Sequence, residues 1–415
     1  MDRSDGSNRE PLPAPLADSV LEALDLSRAE PGRGLLEALF SRFNARVPFE
    51  TASKIERDAA VSDPDDKPRR PPIFWTEHLE RGSGGTCFAR VAAFDSLLST
   101  LGFRARKILG RVQRDFDHAA LVVDSREGSW IADVGFPLPT LLPARPVELE
   151  SVLGDVRVEE TARGWGVALG GVPEGPRSLE LFDAEVPEPE FSRRWRETFR
   201  PDSKFLSEVA MRISRENRAL SFACGEVRVD DAHSRLTLPL PSPRAPRLEE
   251  LFGVDEELLR SAFDRVGDPE PASGDAFLAA YLEIPGEASS ALSAISGPDG
   301  YRHLVAGVAE VVSHETAPGG WIFRMRPPES ASGEILLEDR VRLESEPARL
   351  RVERRSAGAA SESFYETAVR DGRTFLVRRW KLAGAREDLL RNDSLRGRLA
   401  GSAAAELLGW ARLVR

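Results

Sequence analysis

The chain has only two cysteines among 415 residues, and Cys87 stands directly behind the glycine-rich stretch Arg81-Gly82-Ser83-Gly84-Gly85-Thr86. Thr86 is a favoured N-cap type. Val91, Phe94, Leu97, Leu98 and Leu101 then recur at the spacing of an amphipathic helix, which Gly102 stops. A sulfur at a helix start lies over unpaired backbone N–H groups and the positive end of the dipole. Both favour the thiolate, the nucleophilic form. The glycines let a substrate come close to the backbone.

Nucleophilic cysteine catalysis also needs a base for the thiol proton and a third group to orient that base. Of the five histidines (His78, His118, His233, His303 and His314), His118 opens the apolar run Ala119 to Val123. Asp133 ends a second run, Trp130-Ile131-Ala132-Asp133, before Val134-Gly135-Phe136. Both runs read as strands joined by a turn. Paired symmetrically about Ser125-Arg126, they set position 118 opposite position 133, with Cβ atoms about 5 Å apart. Cys87, His118 and Asp133 then make a nucleophile, a base and an orienting carboxylate. Each has a plainer reading alone: small core filler, strand-end residue, turn residue. Together with the glycine turn they point to catalysis. His78, on the approach to that turn, is a weaker rival base that caps or faces solvent. Cys224 reads as structural. Gly82 to Gly85 is not a phosphate loop, because no Gly-Lys-Ser/Thr follows.

The elements that must hold these residues follow from periodicity. Residues 1 to 16 are polar and read as a mobile tail. Helical spacing runs through Val20 to Leu26 and Leu35 to Phe43, and Val47 to Glu50 is extended by its proline. Ile73-Phe74-Trp75 reads as core. After the cysteine helix the period changes to two: 105–112, 118–123, 129–134, 156–160, 164–169 and 178–182 read as strands of an antiparallel barrel or sandwich. Further strands are expected over 209–213, 219–224, 227–229 and 234–238, and one closing helix over 248–266. Past a Gly/Pro linker at 267–274 come a strand at 276–284, a short helix at 288–295, six strands between 309 and 382, and a last helix at 390–414.

Composition narrows the class. An apolar content of 41% suits a folded protein of two or three domains, and a net charge of −11 speaks against nucleic acid or an anionic membrane as partner. Two distant cysteines suit a reducing cytoplasm and give no zinc tetrad, so no metal is expected.

The strings Arg81…Gly84-Gly85-Thr86-Cys87-Phe88, His118-Ala-Ala-Leu-Val-Val and Asp133-Val134-Gly135-Phe136 resemble the arylamine N-acetyltransferase family. Asn44…Val47-Pro48-Phe49-Glu50 is similar to that family's N-terminal helical segment and Leu251-Phe252-Gly253-Val254 to its closing helix. The resemblance covers about 17–267. It implies an α+β fold with a helical bundle (17–103), an antiparallel β-barrel (104–190) and an α/β lid (191–267), related to papain-like enzymes by a Cys87-His118-Asp133 triad. It implies ping-pong transfer of an acetyl group from acetyl-CoA, as co-substrate, through acyl-Cys87 to an arylamine or hydrazine. Backbone N–H groups near Cys87 would hold the oxyanion, with Gly85, Thr86, Phe88 and Phe136 around the substrate. The family often carries Glu and then Asn after Cys-Phe, and Gly after Val-Gly-Phe; here Ala89-Arg90-Val91 and Pro137 stand in those places, close to the acyl and cofactor channel. An amide synthase drawing an acyl chain from a carrier protein is the alternative, and hydrolysis or transglutamination by the same triad a further rival.

The tail, 274–415, resembles in pattern the START-like polyketide cyclase fold, a helix-grip domain with an apolar ligand cavity. A non-enzymatic reading is a binding module centred on that tail, with a vestigial triad.

Overall fold

The computed structural model describes residues 11–136, 138–151, 153–170, 178–215, 218–232, 234–271, 275–284, 292, 295, 297–305, 309–326, 337–345, 348–356, 359–370 and 373–382. The contacts divide the chain into two compact units. Among described residues the first holds 11–170, 178–227 and 240–271, and the second 228–239 and 275–382.

The first unit opens with helices α1 (Ala14–Ala23) and α2 (Arg33–Arg46). Pro15 sits in the first turn of α1, where its missing N–H costs nothing. The helix therefore starts earlier than expected, inside the stretch read as tail. A two-residue strand β1 (Phe49–Glu50) and helices α3 (Ala52–Ala60), α4 (Pro71–Arg81) and α5 (Cys87–Thr100) follow. Phe74 and Trp75 are fully buried, as core.

The amphipathic reading of α5 needs correction, because every residue from Cys87 to Leu98 is buried. The helix packs against α1 and α4 on one side and two barrel strands on the other. Its polar residues go inside with partners: Asp95 lies 3.3 Å from Lys107 Nζ, and Arg90 donates to three oxygens. Thr86 stands at the N-cap but makes no side-chain capping bond.

The strands β2 (Arg104–Arg111), β3 (Asp115–Ser125), β4 (Gly128–Ala132), β5 (Leu142–Pro143), β6 (Val147–Leu149), β7 (Val156–Thr161), β8 (Gly164–Leu169) and β9 (Ser178–Phe182) form one antiparallel sheet. Its order is β5-β4-β3-β2-β9-β8-β7-β6. Beyond it come α6 (Glu188–Glu197), a 3-10 turn at Lys204–Leu206, and the hairpin of β10 (Met211–Arg215) and β11 (Arg218–Ala223), whose first strand pairs with β1.

The closing helix is two helices: after β12 (Glu226–Asp230) and β13 (Ser234–Pro239) come α7 (Ala245–Phe252) and α8 (Glu256–Val266). Gly253 breaks them in the left-handed conformation, at φ 75°. Asp255 then caps α8, its carboxylate accepting from the Leu258 N–H at 2.9 Å. Gly82, at φ 63°, lies so close that a Cβ there would land on the Gly253 carbonyl. The strands at 209–213, 219–224, 227–229 and 234–238 appear within a few residues of expectation.

In the second unit β14 (Ala276–Ile284), α9 (Pro298–Val305), β15 (Glu310–Ala317), β16 (Gly320–Arg326), β17 (Leu337–Ser345), β18 (Ala348–Ser356), β19 (Ala359–Arg370) and β20 (Arg373–Leu382) are described. The sheet runs β13-β14-β20-β19-β18-β17-β16-β15, antiparallel throughout. Tyr301, Leu304 and Val305 of α9 pack with Phe323, Met325, Val352 and Tyr365. The helix expected at 390–414, which a helix-grip arrangement requires, lies outside the described residues, as do residues 1–10, Pro137, His233 and most of 288–295.

Candidate active site

Cys87 is the first residue of α5, and only 5% of it is exposed. The glycine turn before it is held from behind. Buried Glu50 accepts from the Gly84 N–H at 3.1 Å and the Ser53 N–H at 2.8 Å. Arg69, reaching in from the loop before α4, donates to the Gly84 carbonyl and to Ser53 Oγ, and pairs with Glu77 at 2.6 Å. Gly85 forms a bridge to Phe49. His78 is half-buried: its Nδ1 bonds the Ser83 carbonyl at 2.8 Å, and burial lowers its pKa against that bond. It braces the turn.

The structure brings Cys87, His118 and Asp133 together. His118 Nε2 lies 2.7 Å from Asp133 Oδ2, and both residues are buried. The other carboxylate oxygen accepts the backbone N–H groups of Gly135, at 2.9 Å, and Phe136, at 2.8 Å. Cys87 is the ring's other neighbour, beside Gly135. Burial alone would lower the His118 pKa. The charge and hydrogen bond of Asp133, with Cys87 behind them, reverse this and raise it to about 10. The site therefore favours the cationic ring, with a sulfur on one side and a carboxylate on the other.

The hairpin that delivers them is not registered as expected. Leu121 faces Ala132 and Ser125 faces Gly128, so position 118 has no partner at 133. The loop is Arg126-Glu127, one residue further along than a turn at Ser125-Arg126. Asp133 lies just past the end of β4, and it meets His118 by turning back on the Gly135 and Phe136 amides rather than from an opposite strand position.

Several contributors escaped the sequence. A Cβ on Gly135 would stand 2.5 Å from Cys87 Cβ and 3.1 Å from His118 Cε1, so this position must be bare for the sulfur and ring to meet. Asp117 accepts backbone N–H groups from Val112, Gln113 and Arg114 at 2.8 to 3.0 Å, and its own carbonyl lies 4.0 Å from Cys87 Sγ. Phe116, just before it, sits at φ 67°, a strained conformation for a bulky residue. Arg90 donates to the carbonyls of Val134, at 2.5 Å, and Val47, and to Asn44 Oδ1 at 2.9 Å. It ties the cysteine helix to the segment that carries Asp133. Gly135 left a signal as part of the Asp-Val-Gly-Phe string, and Arg90 as a departure from the family's pattern, though not its role as a brace.

The four secondary candidates separate. Phe136 stands edge-on to the His118 ring at 6.1 Å. Thr86 and Gly85 belong to the turn. Phe88 is fully buried, with its ring 5.3 Å from Phe191, and is core. Cys224 is exposed at φ 50° after β11, with Sγ 3.7 Å from Glu208. Among the described residues no group of three or more His, Cys, Asp and Glu is placed to hold a metal ion, and no helix is long and apolar enough to cross a membrane.

Residues 34–163 match the N-acetyltransferase family model. That stretch contains Cys87, His118 and Asp133. The arylamine N-acetyltransferase of Escherichia coli K12 is 31% identical over 146 residues, which are 31% of this chain and 48% of that protein. The arylamine N-acetyltransferase / N-hydroxyarylamine O-acetyltransferase of Salmonella typhimurium is 33% identical over 95 residues, 20% of this chain and 33% of that protein. The chain thus spans about half the length, or less, of the curated relatives it matches. The solved structures agree over a longer stretch. The Salmonella typhimurium arylamine N-acetyltransferase superposes with a TM-score of 0.51 at 20% identity, over 60% of this chain and 98% of that one. The Mycobacterium marinum enzyme in complex with CoA gives 0.53 at 17% identity, over 60% and 99%. A Bacillus cereus arylamine N-acetyltransferase, described as having a unique Cys-His-Glu catalytic triad, gives 0.50 at 17% over 58% and 98%. The arylamine N-acetyltransferase fold therefore accounts for about three fifths of the chain.

Proposed function

We propose that the protein is an acyltransferase that carries the acyl group on Cys87, with acetyl-CoA the donor and an arylamine or hydrazine the acceptor. The observation that carries this is the buried line of Cys87, a His118 raised to about 10, and an Asp133 bonded on both oxygens. The matching family model and the curated relatives support the same class. Residues 17–267 are the catalytic part in this reading.

The chemistry balances on these three side chains. The sulfur, its proton on His118, attacks the thioester carbonyl and forms an S–C bond. The tetrahedral oxyanion is met by backbone N–H groups at the start of α5. The bond to the CoA sulfur breaks, and CoA leaves with the proton from His118. Neutral His118 then takes a proton from the incoming amine as its nitrogen attacks acyl-Cys87. An amide forms and the Cys87–acyl bond breaks, which restores the starting pair. Asp133 holds the ring in position and stabilises its charge in both halves.

Intact mass after incubation with acetyl-CoA tests the first half. An acetyl adduct is expected on the wild-type protein, absent in Cys87→Ser and strongly slowed in His118→Gln. An arylamine should then discharge it. No adduct, and no CoA released with amine present, overturns the CoA version. Labelling by an acyl-carrier thioester instead selects the amide-synthase reading.

A further inference from the structure

The acyl-transfer chemistry gives no task to Lys54, a buried cation near the glycine turn. Lys54 lies in the first turn of α3, in the string Ala52-Ser53-Lys54-Ile55, and is only 4% exposed. Its Nζ donates to Thr198 Oγ1 at 2.8 Å. It also lies 4.7 Å from the ring centre of Phe199 and 5.8 Å from that of Phe205. Phe205 in turn stands edge-on to Phe49 at 5.5 Å.

Two other buried cations of this unit, both at the glycine turn and the cysteine helix, meet oxygens: Arg69 has Glu77, Ser53 and Gly84, and Arg90 has two carbonyls and Asn44. An ammonium has three N–H donors. Among the described residues Lys54 has one hydroxyl and two aromatic faces, and no carboxylate within ion-pair distance. Burial pushes it down to about 8, opposed by Cys87 and then Asp58. The packing leads from Lys54 to the sulfur: Phe205 stands against Phe49, and Phe49 bridges to Gly85, two residues before Cys87. Aromatic faces and one hydroxyl are a weak exchange for the water an ammonium gives up. The missing element is an anion that arrives and leaves.

We propose that Lys54 is a specificity-determining residue whose ammonium pairs with a carboxylate that one of the two substrates presents beside the Cys87 sulfur. The carboxylate has two possible sources. It is either the free end of a dicarboxylic acyl group on the thioester or a ring substituent of an aminobenzoate acceptor. The inference rests on the acyl-transfer reading for its physiological meaning, and its decisive measurement does not.

Iodoacetate and iodoacetamide alkylate a thiol by the same step: the sulfur displaces iodide from a CH2 group, the S–C bond forms and the C–I bond breaks. They differ in one carboxylate. The ratio of their rates at Cys87, read by peptide mass, cancels any general loosening of the site, and exposed Cys224 serves as the internal standard. In Lys54→Met the iodoacetate-to-iodoacetamide ratio should fall at least tenfold, which is about 1.4 kcal/mol. Lys54→Arg, which keeps the charge, should stay near wild type. Equal ratios in wild type and Lys54→Met overturn the proposal. If Lys54→Met does not fold, Lys54→Gln replaces it. If neither folds, protection of the wild-type protein decides: benzoate should slow iodoacetamide labelling of Cys87 where benzamide does not, and equal protection overturns the idea.

Two substrate arms locate the carboxylate. One compares succinyl-CoA with acetyl-CoA as donor, the other 4-aminobenzoate with 4-methylaniline as acceptor. The arm whose preference collapses in Lys54→Met names the source, and unchanged preference in both overturns the proposal. Failure of every donor to acylate Cys87 sinks the acyl-transfer reading alone, while the alkylation ratio still decides Lys54.

Discussion

At the residue scale, the raised His118 carries a consequence for stability. A group whose pKa rises on folding contributes stability that is fully present below its unfolded value, near 6.5, and is lost as pH climbs through its folded value, here about 10. The stability gap between wild type and His118→Gln should therefore narrow steadily from pH 6.5 to pH 10. Denaturant unfolding at pH 6, 8 and 10 checks this, and a gap that stays constant would show that the ring is not held as the cation. Gly135 makes a sharper prediction. A methyl group there lands 2.5 Å from Cys87 Cβ and 2.8 Å from its Cα, both on the rigid first turn of α5. Gly135→Ala should cut the acylation rate of Cys87 by about a hundredfold, the cost of displacing a reacting group by about 1 Å. The overall loss of stability should stay within about 1–3 kcal/mol, as for other overpacked sites. Wild-type acylation in this variant would mean that the site has slack the structure does not show. Arg90 acts by position. Arg90→Met leaves two buried carbonyls and Asn44 without their donor, at about 1–3 kcal/mol for each unmet group. Its distinguishing readout is the pH profile of Cys87 alkylation, which should move, because the Arg90 charge interacts with both Asp133 and Cys87.

At the element scale, what the sequence exposed and what it hid have separate physical causes. Cys87, His118 and Asp133 were readable because their types, the glycine turn and the apolar runs are local signals. The hairpin register was not. It depends on whether the loop is Ser125-Arg126 or Arg126-Glu127, and both pairs are polar enough to turn. The error did not separate the three residues, because Asp133 is placed by amides that follow it rather than by a strand partner. Arg90 and Lys54 sit at positions that look like the polar faces of ordinary helices. Only tertiary packing, with α5 enclosed on both sides, turns them inward. The split between α7 and α8 does have local signals, Gly253 as a stop and Asp255 as a cap, while the approach of Gly82 from 171 residues earlier is tertiary. The cap that restarts the chain can be measured. Asp255 accepts from the Leu258 N–H and pairs with Arg81 at 3.2 Å, and Arg81 also pairs with Glu56 at 3.0 Å. Asp255→Ala should cost about 1–2 kcal/mol, the range for a helix N-cap. Thermal unfolding reads this directly, and an unchanged Tm would mean that water replaces the cap without loss.

At the scale of the whole molecule, the two units are not two consecutive lengths of chain. Residues 228–239 belong with the second unit, although the chain returns afterwards to the first for 240–271. The expected division at 267–274 follows a Gly/Pro-rich stretch that a reader of composition must choose, since strand pairing between distant segments leaves no local mark. The pairing is concrete: Ser234 to Thr237 of β13 face Ala280 to Phe277 of β14. A chain ended after Pro271 keeps Cys87, His118 and Asp133 but strips β13 of that neighbour. Arg235, Leu236 and Leu238 of β13 are buried in the full chain. Removing the partner leaves a row of open backbone donors and acceptors next to apolar side chains, the arrangement by which edge strands aggregate. We therefore expect residues 1–271 to be less soluble and lower-melting than the full chain, with self-association visible by size-exclusion chromatography. Replacing Leu236 with Lys in the shortened chain should relieve the association, because an edge charge blocks strand addition. A shortened chain that stays monomeric, melts as the intact protein does and is alkylated normally at Cys87 would show that β13 needs no partner, and that the catalytic fold is independent of everything after residue 271.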